Sequence, residues 1–155
     1  MKKISGRGEM CDVIPERLQQ GEVFGALSVE AIKFLLRECD LLGVDAGEQV
    51  FKRGDSGESF YIVCSGSIGF YRGQRENPVL IRNAGFGEVV GFVAMIALHD
   101  HQGDANALED SVLLKVSSHQ FHRLHEAYPS DFGIMMMNLT RHLARVIGRI
   151  TDSMV

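Results

Sequence analysis

Residues 85–107, GFGEVVGFVAMIALHDHQGDANA, hold the densest set of groups able to do chemistry. Gly85, Gly87 and Gly91 are followed at once by a compact apolar run, Phe92–Leu98, and then by a polar loop, His99–Asp104, with two histidines. The pattern predicts strand, glycine turn, one or two turns of helix, loop and strand. Glycine lets backbone approach a neighbour closely, and a helix that starts behind it aims free N–H groups outward. Such a start suits an anion. His99 and His101 form an H-x-H pair, and Glu109 and His119 are available to complete a metal-ligand set; as solvated loop histidines the pair would carry no chemistry. His119, His122 and His125 recur every three residues and read as surface positions. Cys11, Cys39 and Cys64 lie far apart without a CxxC pair, which argues for reduced thiols, two of them partly buried, over a disulfide framework, zinc site or iron–sulfur cluster. No P-loop, nucleophile elbow or pair of catalytic carboxylates is present. Asp40, Asp45, Asp55 and Glu58 read as turn and capping residues.

These groups need a frame. At 155 residues the chain is the size of one domain. Its net charge of −4 argues against a general grip on nucleic acid. No apolar run approaches the roughly 18 residues that span a bilayer, and the MKKISGRGEM start lacks the apolar stretch of a secretory signal. A cytoplasmic protein is expected. Residues 1–12 read as a flexible arm, and 13–155 as the domain. A short helical segment is expected over Val13–Phe24 with Pro15 in its first turn. A clearer helix follows over Leu27–Cys39, capped by Ser28. From Gly43 to Gly103, eleven of the seventeen glycines punctuate short runs of β-branched and aromatic residues. These runs are Gln49–Lys52, Ser59–Cys64, Ser67–Tyr71 and Val79–Arg82, with Val112–Val116 after them. Gly73–Pro78 has the composition of a hairpin tip. The spacing predicts an antiparallel β-roll, jelly roll or small barrel over about residues 40–117. Helices are expected over 118–153: a short one at Ser118–Glu126 and a long one from Pro129 to about Ser153. Phe132, Met136, Leu139, Leu143, Val146 and Ile150 recur on the long helix at spacings of four and three, a coiled-coil seam that predicts a homodimer. The same residues would serve a monomer as one wide core-facing stripe. Ile134, Met135, Met137 and Ile147 lie off the seam, and Arg141, Arg145 and Arg149 keep a third face in water.

One run of motifs settles the comparison. Gly54-Asp55-Ser56-Gly57-Glu58-Ser59-Phe60-Tyr61-Ile62-Val63, then Ser65-Gly66-Ser67-Ile68, resembles the signature of cyclic-nucleotide-binding domains. Gly47-Glu48-Gln49-Val50-Phe51 before it, Gly87-Glu88-Val89-Val90-Gly91 after it and the returning strand Ala107–Val116 fit the same pattern. The resemblance covers about residues 18–153 and is nearest in style to the effector domains of Crp/Fnr-type regulators. It implies a mainly β fold with flanking helices, a double-stranded β-helix, and a long C-terminal dimer helix. Those regulators read DNA with a winged helix-turn-helix after that helix. This chain stops at Val155, so DNA binding by it alone is not expected.

The same resemblance implies an altered pocket. A glutamate that takes the ribose 2′-hydroxyl corresponds to Phe92, and an arginine that pairs with the cyclic phosphate corresponds to His101, followed by Gln102. The helix residues that meet the base correspond to Val146 and Ile147. Arginine offers an anion two fixed donors, whereas a neutral histidine offers at most one. Losing two hydrogen bonds to charged groups costs roughly 3–6 kcal/mol, so ordinary cyclic-AMP binding is disfavoured. Gly91 with the N–H groups of Phe92 and Val93 remains as a backbone anion site, and Arg82 is a candidate substitute cation, unless strand alternation points it away. Phe92 either fills the pocket as core or lines it for a different, nucleotide-like or other small anionic ligand. The expectation is a non-catalytic sensor that needs no cofactor or metal and has no membrane partner. Ligand occupancy beneath Phe92–Leu98 would shift a hinge around Gly133 and so change the dimer surface offered to a protein partner. A ligand-free interaction scaffold, a weak cyclic-AMP binder and a cupin-type metal enzyme stand as alternatives.

Overall fold

In the computed structural model, which describes residues 1–4 and 13–153, the elements run β1 (Lys2–Lys3), α1 (Pro15–Leu18), α2 (Val29–Glu38), β2 (Asp40–Val44), β3 (Gln49–Phe51), β4 (Ser59–Ser65) and β5 (Ile68–Gln74). They continue with β6 (Asn77–Ala84), β7 (Val89–Val90), α3 (Phe92–Ala97), β8 (Asp104–Ala107), β9 (Ser111–Ser117), α4 (Ser118–Ala127) and α5 (Pro129–Ser153). The strands form two antiparallel sheets, ordered β1-β2-β9-β4-β7 and β3-β8-β5-β6. The expected β-roll with flanking helices is therefore present.

Strand alternation divides the interior in two. Side chains of successive residues leave a strand on opposite faces. On β4, Phe60, Ile62 and Cys64 enter a core shared with the helices. Tyr61 and Val63 enter a second core inside the roll with Val50, Phe51, Ile68 and Ala105. Strand β9 does the same, with Val112, Leu114 and Val116 toward the helices and Leu113 toward the roll. The larger sheet is thus a wall between two cores, which is why these strands read as continuous apolar runs.

The helical elements follow their local signals. Ser28 caps α2, its Oγ accepting from the Ala31 N–H at 3.2 Å. Asp131 at the start of α5 adds to that end, accepting from the Ser28 N–H at 2.8 Å. Pro15 opens α1, but that helix ends at Leu18, short of the expected Phe24, and the chain then turns through 19–26. The turn is held by a close approach of two glycines: a Cβ on Gly21 would stand 2.5 Å from Gly87 Cα. Asn138 on α5 pins the same turn, its amide donating to the Val23 carbonyl at 3.0 Å and the Gly25 carbonyl at 2.8 Å.

Two expectations about the termini and α5 change. Lys2 pairs with Gly43 and Lys3 with Leu42, so the start of the expected arm is a strand; residues 5–12, with Cys11, lie outside the described residues. Cys39 and Cys64 are both buried, and burial pushes each thiol up to about 12. Helix α5 runs through Gly133 without a break.

Candidate ligand cavity between the roll and the long helix

A cavity of about 460 Å³ lies between the roll and α5. The roll contributes Phe70, Ile81, Val89 and Val90, the glycine turn and short helix contribute Gly91–Ala94, and α5 contributes Leu143, Val146 and Ile150. Its charged and titratable lining is Arg72, Arg82 and Arg149 with His99, His101 and His142; among the described residues no aspartate or glutamate lines it.

Seven of the eight ligand-site residues expected from sequence line this space, all but Ile147. Phe92 is buried, its ring edge-on to Phe60 at 5.2 Å and to Phe121 at 6.1 Å. It belongs to the core shared with the helices and forms the floor of the cavity at the same time. Val93 stands half exposed at the rim. Gly91 adopts φ +87°, and a Cβ there would press within 3.0 Å of the His101 ring. His101 in turn stacks flat on Phe51, ring centroids 3.7 Å apart. Burial holds its pKa below the ordinary histidine value, against the pull of Asp55 and Asp100. It is therefore a neutral plate and no substitute for an arginine. Gln102 uses its amide on the Asp100 carbonyl at 3.0 Å. With six residues α3 sums too few peptide dipoles for its start to act as an anion site alone.

Arg82 and Ile147 part company. Alternation does not point Arg82 away: it reaches into the cavity wall, donates through Nη1 to His142 Nε2 at 2.8 Å and through Nη2 to the Val89 carbonyl. Its Nε is buried without a partner. Burial lowers its pKa, which the Glu88 and Glu22 carboxylates partly oppose. Ile147, expected beside Val146 at the pocket, is instead 64% exposed and away from it; His142 and Arg149 take that place. One turn apart on a helix's core face, Asn138 and His142 were the signal for this, two polar residues where an apolar stripe should run.

His142 is 3% exposed and sits at the centre of a network. Arginine can only donate, so His142 Nε2 accepts and the proton of the neutral ring lies by elimination on Nδ1, facing Glu22 Oε2 at 3.2 Å. Arg145 completes the chain, donating to Glu22 Oε1 at 3.1 Å. Burial first, and the Arg82 cation second, hold the His142 pKa below its ordinary value. Glu22, Glu88 and His142 bring one donor atom each within 4.8 Å of one another. The Arg82 and Arg145 cations already sit against this cluster, so we read it as an ion-pair network and not as a metal centre. Among the described residues His99, His101, Glu109 and His119 form no such group; His99 Nδ1 contacts the neighbouring Asp100 carbonyl at 2.7 Å. The cupin-type arrangement is thereby corrected. On α4, His122 pairs with Glu126 at 3.0 Å, an acidic partner one turn on that the histidine spacing did not reveal.

The seam also resolves differently. Leu139 is wholly buried in the chain's own core, and Phe132, Met136 and Leu143 pack against that core. The four–three spacing therefore marks the face of α5 that covers the roll. One residue along, Gly133, Met137, Thr140, Ala144, Ile147 and Thr151 are all exposed and form an uncharged stripe of the same spacing. The Thr140 and Thr151 hydroxyls are turned back onto the carbonyls of Met136 and Ile147, at 2.7 and 3.0 Å.

Roll, glycine turn, short helix and long helix define a class of domain, and comparison with known proteins gives the family. The model for the cyclic nucleotide-binding domain matches residues 42–128, and the chain belongs to that family. It is 23% identical over 105 residues, 68% of its length, to lysophospholipase NTE1 of Cryptococcus neoformans, and spans 6% of that relative. It is 28% identical over 88 residues to the cAMP-dependent protein kinase regulatory subunit of Yarrowia lipolytica, covering 57% of this chain and 22% of the relative. Among solved structures, the catabolite activator protein of Thermus thermophilus superposes with a TM-score of 0.73 at 23% identity, over 86% of this chain and 62% of that one. The chain thus spans a small part of the curated relatives it matches. No helix among the described residues is long and apolar enough to cross a membrane.

Proposed function

We propose that the chain is a regulatory module without catalysis of its own. Its cavity takes an anion anchored at Arg82, and α5 passes the state of that cavity to a second copy of the chain. One observation carries the reading: the partly buried guanidinium of Arg82 stands at the wall of a cavity that no carboxylate among the described residues lines. A hydrogen bond to a charged group contributes about 1.5–3 kcal/mol net, so an anion drawn to this guanidinium is well rewarded.

The nucleotide site of the family is altered here. The position expected to hold the ribose-binding glutamate is Phe92, committed to the core between Phe60 and Phe121. The arginine position is His101, neutral and stacked on Phe51. Arg82 supplies a cation from a different strand.

Helix α5 lines the cavity through His142, Val146 and Arg149 and presents the uncharged stripe on its outer side. A ligand that binds better to one placement of α5 shifts the population toward it, and a partner helix on the stripe reads the change.

Thermal melting of the wild type and Arg82→Gln with inorganic phosphate, cyclic AMP, cyclic GMP and octanoate tests the anion site. An anion at a hundred times its Kd should raise the wild-type Tm by about 5–10 °C, and Arg82→Gln should lose that rise. A wild-type Tm unmoved by all four contradicts the reading.

A further inference from the structure

Resting on the anion site above, we infer that its ligand is an amphipathic organic acid: one acceptor-only head group, such as a carboxylate, on an unsubstituted apolar body. Two features of the lining select this class. The first is what the cavity lacks. A nucleotide brings hydroxyl and amino donors, and each needs an acceptor when buried. Among the described residues no Asp, Glu, Ser, Thr or Asn lines the cavity, and the one amide, Gln102, donates its NH₂ to the Asp100 carbonyl and keeps Oε1 as an acceptor. His142 Nε2 already accepts from Arg82, while His99, whose Nδ1–H donates to the Asp100 carbonyl, and neutral His101 keep one acceptor nitrogen each. These side-chain acceptors are few and uncharged beside the Arg72, Arg82 and Arg149 donors, so a head group that only accepts fits the lining best.

The second feature is how the lining is distributed. Arg82 and His142 stand together where β6 meets α5. Phe70, Ile81, Val90, Val146 and Ile150 supply apolar wall around them. Water leaving such a wall favours hydrocarbon, and a polar ring substituent would gain nothing there. The cations balance one head group, and the apolar wall accepts a chain.

Isothermal titration of the full chain with butanoate, hexanoate and octanoate, and with octanol and cyclic AMP, separates the outcomes. Affinity should rise about fourfold per added methylene along the acids, and octanol should bind at least tenfold more weakly than octanoate. Arg82→Gln should lose tenfold or more for every acid while keeping the chain-length slope. Val146→Asn, at a half-buried wall position, should flatten the slope; a folded melting transition for each variant validates the comparison. Cyclic AMP or phosphate bound more tightly than octanoate, or an affinity independent of chain length, would overturn the ligand class and leave the anion site standing. No binding by any of the anions would overturn both.

Discussion

Arg82 and His142 share one hydrogen bond, and its direction decides how the site answers to pH. The guanidinium can only donate, so a protonated His142 would have to break that contact as well as carry a charge in a buried place. His101 is held neutral by burial beneath the same cavity. In the unfolded chain both rings return to values near 6.5, above their values in the fold. The unfolded chain therefore takes protons first as pH falls. Stability from the two rings is complete above about 6.5 and is lost as pH drops through their folded values. Melting should show a Tm that falls between pH 7.5 and 5.5, and His101→Phe, which preserves the stack on Phe51, should remove part of that fall. A Tm independent of pH across this window would contradict the assignment. At this scale the sequence was a partial guide. The place of Phe92, at the start of α3 and on the cavity, was legible because the surrounding motif fixes its position. The roles of His142 and Glu22 were not, because their partners lie 60 to 120 residues away and only the packed helix brings them together.

At the scale of elements, periodicity located α5 to the residue but not what lies on each side of it. A four–three apolar spacing says that one helical face is covered, and either a partner helix or the chain's own sheet satisfies that requirement. Here the sheet does: Leu139 has no exposed surface, while the stripe one residue along has no charge. The consequence is a clean separation by mutation. Ala144→Glu with Ile147→Glu should yield a folded monomer by sedimentation, with helical circular dichroism intact. Leu139→Glu should instead abolish cooperative melting, because it places a carboxylate in a packed core. A dimer that survives the first pair of changes would rule out the stripe. Strand β4 carries the same lesson. Its unbroken apolar run was legible as a strand, whereas the division of its faces between two cores appears only when the helices close over the sheet.

The whole molecule then has one wall with two uses. The inner side of α5 closes the cavity and the outer side offers the stripe, so in the function proposed above a ligand and a partner helix act on the same element. Asn138 and Asp131 tie the first half of that helix to the turn after α1 and to the start of α2. Its second half rests on the cavity lining, so that half is the part a ligand can move. Binding and association must then be linked reciprocally. The direct test is the dimer dissociation constant by sedimentation equilibrium, without octanoate and at saturating octanoate, for the wild type and Arg82→Gln. The account predicts a change of about fivefold or more in the wild type and none in Arg82→Gln. A dissociation constant that stays the same when octanoate is demonstrably bound would contradict it.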